Sequence, residues 1–217
     1  MRFVSGILLT CASHTLFAEP QLYETGPSEE SSYVRFVNAS EKSITVVSSN
    51  GSAKIELSAQ SRSSRFFPVK AGSKLNANIQ TEGKKIAVQV TGKAWEYITI
   101  AVLPDATGQI KSVLVRETPE DFNATRSSLA LFNLDEKCSL ATMQGGAKNI
   151  AILEDAKPLS VKRRLVNPVK LAATVVCAGQ SGDSTVDLAQ LQAGERYSIF
   201  LIPSKNTRHA FFVRDSN

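Results

Sequence analysis

The sequence predicts an all-β protein made of two tandem antiparallel β-sandwich (Ig-like) domains joined by a short linker. Three observations carry that reading. Short runs such as "KIEL" (54–57), "LNANI" (75–79), "IAVQV" (86–90) and "ITIAV" (98–102) alternate apolar with small or polar side chains, the two-residue period of a strand with one buried face. Turn pairs separate the runs: Asn50-Gly51, Ala71-Gly72, Glu82-Gly83, Gly145-Gly146, Ala178-Gly179 and Ala193-Gly194. Turns at roughly every 8–12 residues suit a sandwich or barrel. The third observation is an internal repeat.

Taken in chain order, residues 1–18 read as a secretory leader. Met1-Arg2 is a basic start, Phe3 to Cys11 is mostly apolar, and Ala18 is a small residue before the expected cleavage site. A lipoprotein anchor on Cys11 fits less well, because Thr10 precedes it and the apolar run is short. Leu22 to Glu30 carries Tyr23 and Pro27 and has no strand period. The first copy spans 19–116, the polar linker "ETPEDFNATR" spans 117–126, with room for one helical turn at "PEDF", and the second copy spans 127–217.

The repeat aligns "SSYVRFVNASEKSITV" (31–46) with "SSLALFNLDEKCSLAT" (127–142), sharing Ser-Ser, Phe, Asn and Glu-Lys. "PVK" at 68–70 answers "PVK" at 168–170, "GKAWEYITIAVLP" (92–104) answers "GERYSIFLIP" (194–203), and "LVRE" (114–117) answers "FVRD" (212–215). Each copy is expected to hold about seven or eight strands. The first core is expected to use Phe36, Ile44, Val46, Ile55, Leu57, Phe67, Ile79, Val88, Ile98 and Ile100. The second is expected to use Phe132, Leu140, Ile150, Ile152, Leu171, Val175, Leu188, Ile199 and Leu201.

Chemistry-bearing residues are sparse. Of two His, His14 lies in the leader, so His209 alone is left for Ser-His or Cys-His catalysis. "QSGDST" (180–185) contains the Gly-Asp-Ser tripeptide of GDS-type esterases. Ser184 nevertheless comes late, the base block reads Asn206-Thr207-Arg208-His209 where Asp-x-x-His is needed, and Gly182-Asp183 is a hairpin signal. A turn is the expected role. One His and two separated Cys make no zinc set, Gly83-Lys84 and Gly92-Lys93 lack P-loop spacing, and no cofactor is expected. Export would leave Cys138 and Cys177, an even pair that forms one disulfide or stays as two buried thiols.

The net charge is +5, and +4 without Arg2, the one charge in the leader. Basic residues are scattered, with no nucleic-acid stripe. No apolar run after the leader reaches the roughly 18 residues of a membrane span. Trp95 and Tyr97, at the start of a strand, are candidates for a sugar-binding surface or for packing over a sandwich end.

The opening block "LYETGPSEESSYVRFVN" (22–38), with its Leu-Tyr, Gly-Pro, Ser-Ser and aromatic-Val-Arg items, resembles the AlgF family. So do the Pro-Val-Lys blocks, the two-copy layout and "LVRETPEDFNATRSSLALFNL" at the linker. The resemblance implies a periplasmic accessory protein of alginate O-acetylation with two sandwich domains and no catalytic set of its own. It further implies action beside SGNH-type acetyltransferases and a membrane-bound O-acyltransferase complex. Related systems serve acetylated cellulose, so the polymer stays open.

Three functions are thereby set against one another. A non-enzymatic adaptor would dock partners through Leu22, Tyr23, Pro27 and Arg35. A carbohydrate-binding module would use Trp95 and Tyr97 on the polysaccharide. An acetyl-ester enzyme would use Ser184 and His209.

Overall fold

The computed structural model describes residues 30–105, 107–118, 122–146, 148–179, 183–203 and 209–215. The expected leader, the 22–29 block, most of "PEDF" and Gly182 lie outside these residues.

Among the described residues there is no helix, and sixteen strands form four four-stranded sheets. The first half contributes β1 (Ser31–Asn38), β2 (Ile44–Ser48), β3 (Lys54–Leu57), β4 (Phe67–Lys70), β5 (Lys74–Thr81), β6 (Lys84–Thr91), β7 (Tyr97–Pro104) and β8 (Ile110–Glu117). The second contributes β9 (Ser127–Asn133), β10 (Ala141–Gly145), β11 (Ile150–Ala156), β12 (Ser160–Val166), β13 (Lys170–Cys177), β14 (Ser184–Gln190), β15 (Arg196–Ile202) and β16 (His209–Asp215). The sheets run β3-β2-β5-β6 and β4-β1-β7-β8 in the first half, and β11-β10-β13-β14 and β12-β9-β15-β16 in the second. The same strand order appears twice, as the repeat requires.

One pair in each half departs from the antiparallel expectation. β1 runs parallel to β7, and β9 runs parallel to β15. Parallel neighbours need a long crossover, and here the crossover runs through the opposite sheet of the same sandwich.

Three apolar clusters order the layers. Val34, Phe36, Ile44, Val46, Leu57, Ile79, Val88, Ile98 and Ile100 fill the first sandwich, with Ile55 and Phe67 packed against them. Val175, Leu188, Ile199 and Leu201 lie in the second, flanked by Ile152 and Leu171. The third cluster joins Val37, Ala39, Ala101, Leu103 and Val115 of the first half to Ala130, Phe132, Leu134, Phe200 and Ile202 of the second. The inner sheets therefore pack on each other, and four sheets stack in one block.

Phe132 belongs to this seam rather than to the second core. Ile150 is exposed, at 63% of its accessible surface, because it starts edge strand β11, and Leu140 is only half-buried.

Three of the repeat matches do not survive in space. Phe36 enters the first core, whereas Phe132, one residue off in register, is the counterpart of Val37 in the seam. Pro68-Val69-Lys70 lies within edge strand β4, where a missing N–H is tolerated, whereas Pro168-Val169 precedes β13. Tyr97 pairs with Glu117, and Arg196 pairs with Asp215, so Arg196, not Tyr197, is the counterpart of Tyr97. A one-residue shift sends a strand side chain to the other face. Tyr97 thus lies on the seam face of its strand, while Tyr197 packs on Phe212 at 5.4 Å in the second core.

The shared Asn is equivalent in structure. Asn38 Nδ2 donates to the carbonyls of Lys42 and Leu57 at 2.8 and 3.2 Å. Asn133 Nδ2 donates to those of Cys138 and Ala156 at 2.8 and 2.9 Å. Each fully buried amide ties the end of an inner strand to the outer sheet.

Cys138 and Cys177 are bonded, with Cα atoms 5.5 Å apart. The first half holds the same two segments with Thr81 Oγ1, which donates to the Ser43 carbonyl at 2.9 Å.

Candidate functional site

β1, β7, β9 and β15 are covered on both faces. Even-numbered Val34 and Phe36 enter the first core, which sends Arg35 and Val37 into the seam. Arg35 is 1% exposed. Its guanidinium lies 4.4 Å from the Phe66 ring centroid, 5.0 Å from Phe132 and 4.8 Å from Phe200, a cation–π environment assembled from both halves. Nε donates to Thr99 Oγ1 at 2.9 Å, Nη1 to Asp215 Oδ1 at 2.6 Å and Nη2 to Ser198 Oγ at 3.0 Å.

Counting Arg35, three guanidiniums face two carboxylates. Ser198 Oγ donates to Asp215 Oδ2 at 3.0 Å, and Arg163 Nη2 reaches the same oxygen at 3.3 Å. Arg163 also forks onto Glu117, with Nε–Oε2 and Nη2–Oε1 both 2.9 Å. Arg196 Nη2 stands 3.5 Å from Glu117 Oε1, and its guanidinium carbon lies 4.3 Å from the Tyr97 centroid. Nε and Nη2 of Arg196 are buried without a hydrogen-bond partner among the described residues. Glu117 and Asp215 hold equivalent positions at the ends of β8 and β16, so the "LVRE" and "FVRD" repeats deliver one carboxylate each to the same seam.

Burial works against the Asp215 charge, but Arg35, Arg163 and the Ser198 hydroxyl outweigh it and hold the carboxyl below the usual Asp range. Burial lowers the Arg35 pKa despite Asp215 and Glu117. For Arg163 burial is outweighed by Glu117 and Asp215, and the pKa rises. Arg196 is lowered by burial and then by Arg163. Burial raises the Tyr97 phenol, with Arg196 opposing.

Both carboxylates are engaged by guanidiniums, so neither is set up as a general base. What the cluster can do is fix the two sandwiches against each other, since misalignment would leave buried charges unpaired.

The sequence candidates fall as follows. Leu22, Tyr23 and Pro27 lie outside the described residues. Arg35 is a correction: its burial and saturated contacts remove it from any exposed docking surface and place it inside the molecule. Trp95 is 55% exposed at positive φ (63°). Tyr97 stacks on Tyr33 at 4.9 Å, meets Phe66 edge-on at 5.1 Å and carries Arg196, so its ring is occupied within the protein. Ser184 begins β14 in the β13–β14 hairpin, is buried, and accepts the Ala210 N–H at 2.8 Å. His209 is exposed on the neighbouring strand and makes no hydrogen bond to Ser184. No group of three or more His, Cys, Asp or Glu able to hold a metal occurs among the described residues.

Glu117, Arg163, Asp215 and Arg196 escaped the sequence reading. The available signal was the almost wholly apolar runs "ITIAVL", broken only by Thr99, and "IFLI", which mark strands covered on both faces rather than the single buried face expected for 98–102, beside acids repeated at 117 and 215.

Fold and seam together define a duplicated, four-layer β protein whose halves share one buried polar network. A family described as "Alginate O-acetyl transferase AlgF" matches residues 6–198. The chain belongs to that AlgF family, and membership ties it to alginate O-acetylation. No curated protein matches significantly. Among solved structures, one described as a "putative cell adhesion protein" from Bacteroides ovatus ATCC 8483 aligns at 8% identity and a TM-score of 0.28, over 86% of this chain and 97% of that one. That likeness carries no argument here.

Proposed function

We propose that this protein is a non-catalytic periplasmic adaptor in the O-acetylation of alginate or a related exopolysaccharide, and that it acts by contact with SGNH-type acetyltransferases and a membrane-bound O-acyltransferase complex. The observation that carries the reading is the seam. It makes the two sandwiches one body whose outer sheets face opposite ways. With layers about 10 Å apart, those faces stand roughly 30 Å from each other. Two partners docked on them would be held at a set separation rather than on a flexible tether. The engagement of Ser184 by a backbone N–H supports the absence of a nucleophile from the proposed role.

Pull-down from periplasmic extract with the intact protein tests the adaptor: an acetyltransferase partner should be recovered, and recovery of none overturns it. In a chromogenic acetyl-ester assay the protein and its Ser184→Ala variant should both run at background. The exposure of Trp95 favours a second reading, direct contact with the polymer. Titration with acetylated and unacetylated oligosaccharides tests it, and no binding in the millimolar range removes it.

A further inference from the structure

The two halves also differ beside β2 and β10. β2 and β10 sit in the same register on β5 and β13, Val46 opposite Ile79 and Met143 opposite Val175. Ser48 and Gly145 are therefore counterparts, opposite Ala77 and Ala173. In the second half that place is packed solid. A methyl on Gly145 would stand 2.6 Å from Ile152 Cδ1 and 2.9 Å from Leu171 Cδ1, and seven-residue β11 and β12 form that side. In the first half β3 and β4 have four residues each. Between them a cleft of about 510 Å³ opens onto the core. Its floor is Phe36, Val46, Ile55, Phe67, Leu75 and Ala77.

The mouth carries Ser61, Ser63, Ser64, Glu56 and Arg65. Glu56 is held by Lys54 at 2.6 Å. Arg65 is exposed and has no ion-pair partner among the described residues, so the unneutralised charge at the mouth is a cation. An apolar cleft of this size with a few polar groups at its rim is the usual form of a small-molecule site. Charge complementarity selects a ligand with an apolar chain and an anionic end.

We propose that the cleft between β3 and β4 binds the free carboxylate of a single-chain aliphatic acid, with the chain on Phe36, Ile55, Phe67 and Leu75 and the head at Arg65. The site goes beyond the adaptor reading and does not depend on it.

The test is calorimetric titration of the full chain with octanoate, decanoate and dodecanoate, with methyl NMR to locate the ligand. Saturable binding is expected, tightening by up to about fourfold per added CH₂ until the cleft is full, with shifts at Val46, Ile55 and Leu75. Decanol should bind more weakly than decanoate. Arg65→Ala should weaken decanoate roughly tenfold and leave decanol unchanged. Ser48→Leu should occlude the cleft; should that variant fail to fold, exposed Arg65→Ala decides alone. No saturation by about 1 mM, equal binding of acid and alcohol, insensitivity to Arg65→Ala, or shifts confined to other surfaces would each overturn the proposal.

Discussion

Arg35 and Asp215 show how much a single buried pair can decide. Taking both ions out of water costs several kcal/mol each, and the cost is offset only because every guanidinium nitrogen and both carboxylate oxygens have a partner. Arg35→Met should therefore destabilise the protein by about 3–5 kcal/mol, while adding Asp215→Leu should cost less than the sum of the single changes; a urea-denaturation cycle measures both. The same pair sets an acid limit. Asp215 titrates below its unfolded value of about 3.9, so its contribution is complete above that pH and is lost as pH falls through the lower folded value. Asp215→Asn should flatten the acid limb of stability against pH, and an unchanged limb would show that other groups set it. Arg35 was visible in the sequence as one cation inside "YVRFV". Its partners were not, because they lie 64 to 180 residues away.

At the scale of elements, equivalent ties hold equivalent strands by different chemistry. Asn38 and Asn133 each satisfy two buried carbonyls, so Asn38→Ala and Asn133→Ala should each cost about 1–3 kcal/mol, read as thermal shifts of similar size. Where the first half uses Thr81, the second uses the disulfide, which closes a separation of 39 residues and in the loop-entropy account contributes about 4 kcal/mol. Reduction should lower the urea midpoint by a corresponding amount, and a Cys138→Ala/Cys177→Ala variant should match the reduced protein. Strands β3, β5 and β6 were readable because one face meets water and the period of two survives. In β7 and β15 both faces are buried, and the run of apolar residues says only that two layers cover the strand. The tyrosine match at 97 and 197 failed there because nothing in a continuous apolar run marks its register.

For the whole molecule, the seam packs the two sandwiches directly against each other. Cutting an engineered protease site at 119–121 should leave the halves together through size-exclusion chromatography, held by the third apolar cluster and the Arg35, Arg163 and Glu117 contacts. Separation into two fragments would show that the covalent link is needed. Arg35→Met in the cleaved protein should favour separation.

The amino-acid order by itself determined the all-β class, the duplication and most of both sandwich cores. Those follow from local period, turn residues and repetition, each readable within a few dozen residues. The seam, the burial of Arg35 and the open first sandwich beside a closed second one depended on tertiary packing. They arise from which layer covers which face and how far edge strands extend, and both are set by contacts between segments far apart in the chain.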